Sequence, residues 1–175
     1  AGIKIIYSIP GLKVHAKVAA ILRKDNPGGA KRRDLANIST GNFNEKTAKI
    51  YADMALLTSQ EAIITDINKV FAVLEGRLQA PTFRHLLVAR FNMVPELQRM
   101  IQREIDHVQA GGKGRIILKM NGLHDQQMID MLYRASEAGV EIDLIVRGIC
   151  CLVPDQPYSR NIRVTRIVDS FLEHA

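Results

Sequence analysis

The chain has no tryptophan, and aromatic residues make up only 5% of its 175 positions. Stacking platforms for single-stranded nucleic acid are therefore thinly supplied, and no nucleic-acid partner is expected. Cysteine is equally scarce. Cys150 and Cys151 are sequence neighbours, poorly placed for an ordinary structural disulfide and at home in a reducing compartment. No apolar run approaches the roughly 20 residues that span a bilayer, and the most hydrophobic stretch, 142–153, is interrupted by Arg147. The N-terminus lacks the charged-then-apolar pattern of a signal peptide. These absences point to a cytoplasmic location, with membrane association left open. The missing initiator Met and the stop directly after Phe171-Leu172-Glu173-His174-Ala175 suggest a piece of a longer protein.

What is present is a basic, globular composition. Apolar residues account for 47%, enough for a core, and 24 Lys+Arg against 18 Asp+Glu leave a formal charge of +6, which favours anionic partners. The stretch that organises the rest is Gly11-Leu12-Lys13-Val14-His15-Ala16-Lys17-Val18. Read as a strand, it puts Lys13, His15 and Lys17 on one face and Val14, Ala16 and Val18 on the other. A His between two cations is expected to stay neutral and hence nucleophilic, with the lysines holding the oxygens of a phosphate. Further on, Ser39-Thr40-Gly41-Asn42-Phe43-Asn44 has the composition of a tight turn whose backbone N–H groups can gather on an anion. The bland reading is a turn whose Asn side chains bond their own backbone.

In chain order, the pattern predicts strands over Ile3–Ile9 and Leu12–Leu22, paired across Pro10-Gly11, then a loop at Asn26-Pro27-Gly28-Gly29 with the basic cluster Lys31-Arg32-Arg33. Strands are expected at Leu35–Ile38 and Ile50–Thr58, the latter directing Tyr51 and Asp53 to one face. A helix capped by Ser59 runs to Leu74, a short strand covers Leu86–Ala89, and a second helix opens at Pro95 with the stripe Leu97, Met100, Ile101, Ile105 and Val108. The pattern then changes at Gly111-Gly112. Ile116–Lys119, Asp125–Ala138 and Val140–Val146 read as strand, helix and parallel strand, and Ile162–Val168 as a final strand. Ligands of open α/β sheets sit beyond the carboxyl ends of the strands, which singles out Arg147; a structural salt bridge there is equally compatible with its position.

Together these segments resemble the bacterial polyphosphate kinases related in fold to phospholipase D. The resemblance is carried by the His15 and Ser39–Asn44 motifs, by Tyr51-Ala52-Asp53, by Ile142-Asp143-Leu144-Ile145-Val146-Arg147-Gly148-Ile149-Cys150 and by Ile167-Val168-Asp169-Ser170-Phe171-Leu172-Glu173-His174. It implies an α/β fold of two phospholipase-D-like domains, each a mixed sheet flanked by helices and each incomplete, over residues 1–84 and 85–175. It implies that His15 is phosphorylated from ATP or polyphosphate, and that His174 assists proton transfer or binds phosphates. Lys17, Asn42, Asn44, Tyr51 and Arg147 are the implied substrate- or nucleotide-binding residues. Mg²⁺ is implied as the counter-ion of ATP, with no protein ligand assigned. ATP, ADP and inorganic polyphosphate are the implied small-molecule partners, and the full-length protein is expected to be a homo-oligomer, with the fragment alone inactive. The alternatives are a phospholipase-D-type phosphodiesterase or nuclease and a non-catalytic polyanion-binding domain. Val18-Ala19-Ala20-Ile21-Leu22 offers no acidic residue just beyond His-x-Lys, which speaks against diester chemistry.

Overall fold

The computed structural model describes residues 2–7, 9, 11–23, 33–168 and 170–174. The chain is mixed α/β, and its described residues form two compact units. One comprises the residues up to Glu45 together with Met54–Met93; the other comprises Lys46–Asp53 together with the residues from Val94 onward.

The first unit is a three-stranded antiparallel sheet in the order β1 (Lys17–Ile21), β2 (Leu35–Ser39), β4 (Ala55–Thr58), with helix α1 (Glu61–Leu74) against one face. Alternation along the strands decides that face. Val18, Ala20, Ala36 and Ile38 pack on Ile63, Ile64 and Ile67 of α1, and each fully buried aliphatic side chain contributes about 1.5–3 kcal/mol. Lys17, Ala19, Asn37 and Ser39 consequently belong to the opposite face. Ile3–Ile9 does not form the expected strand: its described residues have no ladder partner, and Ile3 and Tyr7 are 81% and 85% exposed. β-branched composition favours a strand only in a segment whose side chains pack and whose backbone is paired. The turn after it is real, with the Leu12 N–H donating to the Ile9 carbonyl at 3.0 Å and Gly11 at φ 76°. The strand expected from Leu12 begins only at Lys17, which faces Ser39, the last residue of β2; among the described residues those before it have no ladder partner. The Asn26–Gly29 loop and Lys31-Arg32 lie outside the described residues; Arg33 is exposed.

The stretch expected as one strand over Ile50–Thr58 is two. A 3₁₀ turn (Thr47–Lys49) leads into β3 (Tyr51–Ala52), which pairs outside the first sheet, and β4 then pairs with β2. α1 is not capped by Ser59: Gln60 takes the cap position without a side-chain bond. Leu86–Ala89 is also not a strand. Side chains have claimed its backbone: Asp66 accepts from the N–H groups of Arg84, His85 and Leu86 at 2.9, 2.7 and 3.2 Å, and Asn92 accepts from Val88 N–H while donating to the Leu86 carbonyl.

The second unit centres on a parallel sheet, β5 (Arg115–Met120), β6 (Glu141–Val146), β7 (Ile162–Thr165), with α2 (Met93–Gln109) and α3 (Gln126–Glu137) on one side. Here the expectation of a strand–helix–strand crossover holds. Asp125 caps α3 by accepting from Met128 N–H at 2.9 Å, and Gly139 at φ 101° ends it. Ile101, Ile105, Ile129, Leu132, Ile142 and Leu144 form the centre of its core. On the other side of the sheet Asp143 bridges Arg163 and Arg115, whose hydrogen bonds hold its carboxyl below the ordinary carboxylate range. The remaining pairing is a two-residue parallel ladder between β3 and β8 (Leu172–Glu173).

Asp66 is 1% exposed. Burial pushes its carboxyl up, but the Lys69 ammonium at 2.8 Å and the three backbone N–H groups outweigh burial and bring it down to about 2. A folded-state value below the ordinary 3.8 means that Asp66 stabilises the fold above about pH 4 and loses this contribution as the pH falls toward about 2. In urea unfolding, Asp66→Asn is expected to lower stability at neutral pH by about 2 kcal/mol and to flatten the acid limb between about pH 4 and 2.

Candidate functional site

His15 lies just before β1 and is exposed. The rigid-strand setting read from sequence is therefore corrected, but the ring remains accessible. Lys17 is only 9% exposed, and its ammonium stands 2.9 Å from Nε2 of His15 while donating to the His15 carbonyl at 2.9 Å. An ammonium has no lone pair, so Nε2 must accept. This contact calls for the tautomer with its proton on Nδ1 and the Nε2 lone pair turned toward the lysine. Of the two flanking lysines, Lys17 makes this contact; Lys13 is exposed.

The Ser39–Asn44 turn is built differently from the anion cradle its composition suggests. Thr40 N–H donates to the Met54 carbonyl at 3.0 Å, Gly41 N–H to Ser39 Oγ at 2.9 Å and Asn44 N–H to the Asn42 carbonyl at 2.7 Å. Thr40 Oγ1 accepts from Met54 N–H in return. Three of the N–H groups are thus committed to the fold, and the turn ties β2 to the start of β4. Asn42 and Asn44 are exposed.

In the second unit, the β3–β8 ladder places Tyr51, Asp53 and His174 side by side. Leu172 N–H reaches the Ile50 carbonyl and His174 N–H the Ala52 carbonyl. The Tyr51 and His174 rings meet edge-on with centroids 5.1 Å apart, and His174 Nδ1 lies 3.2 Å from Asp53 Oδ1. An ionised carboxylate only accepts, so Nδ1 carries the proton and Nε2 is the ring's other functional position. Sequence reading set Asp53 on the Tyr51 face but gave it no role; the two-residue period was the available signal.

Arg147 follows β6 at its carboxyl end, as expected. Its placement depends on a clasp between two loops: Arg147 and Gly148 N–H groups donate to the Met120 and Asn121 carbonyls at 3.1 and 2.8 Å. A Cβ on Gly148 would stand 2.9 Å from the Asn121 oxygen, so only glycine permits this approach. Arg147 Nη1 donates to the Glu173 carbonyl at 3.0 Å, and Lys119 pairs with the Glu173 carboxylate at 2.6 Å. Lys119 and Glu173 were not singled out from sequence. The void beside these groups is about 10 Å³, room for a water but not for a phosphate. One donor of the Arg147 guanidinium is committed to the Glu173 carbonyl. Among the described residues, no group of three His, Cys, Asp or Glu side chains is placed to hold a metal ion, and no helix is long and apolar enough to cross a membrane.

Comparison with known proteins identifies relatives of the chain. The family model for polyphosphate kinase C-terminal domain 2 matches residues 86–175, and that for C-terminal domain 1 matches residues 1–80. A polyphosphate kinase of Yersinia pestis is 47% identical over 99% of this chain, and one of Synechocystis is 45% identical over 99%. The chain spans about a quarter of the length of these curated relatives, 25% and 24% respectively. A crystal structure of polyphosphate kinase from Porphyromonas gingivalis superposes with a TM-score of 0.89 and 57% identity, covering 99% of this chain and 28% of that one. On the match over its second half, the chain belongs to the polyphosphate kinase C-terminal domain family.

Proposed function

We propose that this chain carries part of the catalytic region of a polyphosphate kinase, in which His15 relays the terminal phosphate of ATP to the end of an inorganic polyphosphate chain. Residues 1–84 and 85–175 are the incomplete phospholipase-D-like domains of this proposal. The supporting observation is the exposed imidazole whose Nε2 stands 2.9 Å from the Lys17 ammonium. When a phosphate oxygen approaches, it can take that ammonium and leave the lone pair bare. Nε2 then bonds to the γ-phosphorus as the bond from phosphorus to the β,γ-bridging oxygen breaks and ADP departs. In the second step a terminal phosphate oxygen of polyphosphate attacks the same phosphorus, the N–P bond breaks, and His15 is restored. Both steps are reversible. Catalysis is chiefly positioning and neutralisation of charge, the role proposed for Lys17 and Arg147, with Asn42, Asn44 and Tyr51 as further substrate contacts.

Magnesium enters this scheme with ATP as its counter-ion, held by phosphate oxygens. His174, with Nδ1–H engaged by Asp53, presents Nε2 to hold or return a proton on the phosphates. A cytoplasmic location and a homo-oligomeric full-length protein complete the proposal.

After exposure of the intact protein to ATP, mass spectrometry is expected to find an acid-labile phosphate on His15. His15→Ala should abolish both that mark and polyphosphate synthesis; an acid-labile phosphate confined to another residue would refute the relay. Lys17→Ala should lower the rate of phosphohistidine formation by about tenfold to a thousandfold, in line with the loss of one preorganised charge. Nitrogen-15 NMR should show His174 as the Nδ1-protonated tautomer, and Asp53→Ala should shift it toward the Nε2-protonated form.

A further inference from the structure

A further cleft lies within the first unit. It occupies about 590 Å³ between α1 and the segment that follows it. Leu78, Ala80 and Pro81 give it an apolar wall, and Lys69, Arg84 and His85 line it with basic groups. Its only carboxylate, Asp66, is almost fully buried and already neutralised by Lys69 and three backbone N–H groups. Lys69 also donates to the Thr82 carbonyl at 2.7 Å, so the segment carrying Arg84 and His85 is fastened to α1 from both sides. Arg84 and His85 are themselves exposed, and among the described residues their side chains make no hydrogen bond or ion pair. A guanidinium and an imidazole are thus held at the rim of a cleft with a net positive lining.

The volume is that of a small-molecule site. α1 packs on the Val18 and Ala36 face of the sheet, so the cleft lies on the far side of the sheet from the Lys17 face. From this position and lining we infer that the cleft is a second nucleotide site, taking a nucleoside diphosphate or triphosphate with its phosphates on Arg84 and His85 and its base against Leu78 and Pro81. Guanidinium groups suit phosphate through paired N–H donors, and the apolar wall distinguishes a nucleotide from a bare phosphate chain. The site does not depend on phosphoryl transfer through His15.

Photolabelling of the intact protein with an azido-adenine analogue of ADP, followed by peptide mapping, tests the assignment. Label is expected within residues 62–85. It should be displaced by ADP but not by equal concentrations of inorganic tripolyphosphate, and it should weaken about tenfold or more in the Arg84→Ala, His85→Ala double variant, the expected scale for losing charged hydrogen bonds. Both residues are exposed, so the double variant should melt like the parent. His15→Ala should leave the labelling intact, which separates this result from the fate of the phosphohistidine. Absence of label from 62–85, label retained by the double variant, or displacement by tripolyphosphate as effective as by ADP would each overturn the proposal.

Discussion

Two rungs of parallel backbone pairing, Tyr51 to Leu172 and Ala52 to Glu173, hold the second unit's polar centre together. Asp53 and His174 are 121 positions apart, and bringing such distant segments together costs loop-closure entropy. The ladder fixes the strand direction, and the two-residue period then sets Tyr51 and Asp53 on the side from which His174 approaches. Lys119 and Arg147 converge on Glu173 from the ends of β5 and β6, so the same short strand is anchored from the parallel sheet as well. A change at Glu173 acts on several side chains at once.

Where local pattern and tertiary setting agree, the sequence was legible. The crossover from β5 through α3 to β6 was read from the helical spacing of Met128, Ile129, Leu132 and Ala135 and from Gly139, and the structure follows it closely. Arg147 was found by its position after a buried strand. Where a strand needs a partner, composition misleads. The described residues of Ile3–Ile9 have the composition of a strand and no ladder partner, whereas Leu86–Ala89 has its hydrogen bonds diverted to Asp66 and Asn92. The diversion to Asp66 cannot be read from spacing, because Asp66 and the segment it binds are separated by most of α1 and the turn after it. Asp66 itself looks in sequence like one more polar residue on a helix.

The two histidines are prepared by opposite charges. His15 is paired with an ammonium, so its Nε2 is kept free of a proton; His174 is paired with a carboxylate, so its Nδ1 is kept supplied with one. Each partner sets which ring nitrogen faces it and in what role, acceptor for His15 and donor for His174. This distinguishes them from Asp66, whose charge is satisfied on all sides and whose contribution is to stability. The difference is legible in exposure. Asp66 is sealed at 1%, while His15 remains open to solvent.

The short stretch Lys46–Asp53 leaves the first unit, lends a strand to the second, and returns at Met54. No single cut in the polypeptide can therefore yield both units with all their strands. Recombination between related genes at one crossover point would orphan this loan, pairing a borrowed strand from one parent with an acceptor from the other. The two units are consequently bound to be inherited together, or to diverge only as fast as residues 51–52 and 172–173 can still recognise each other.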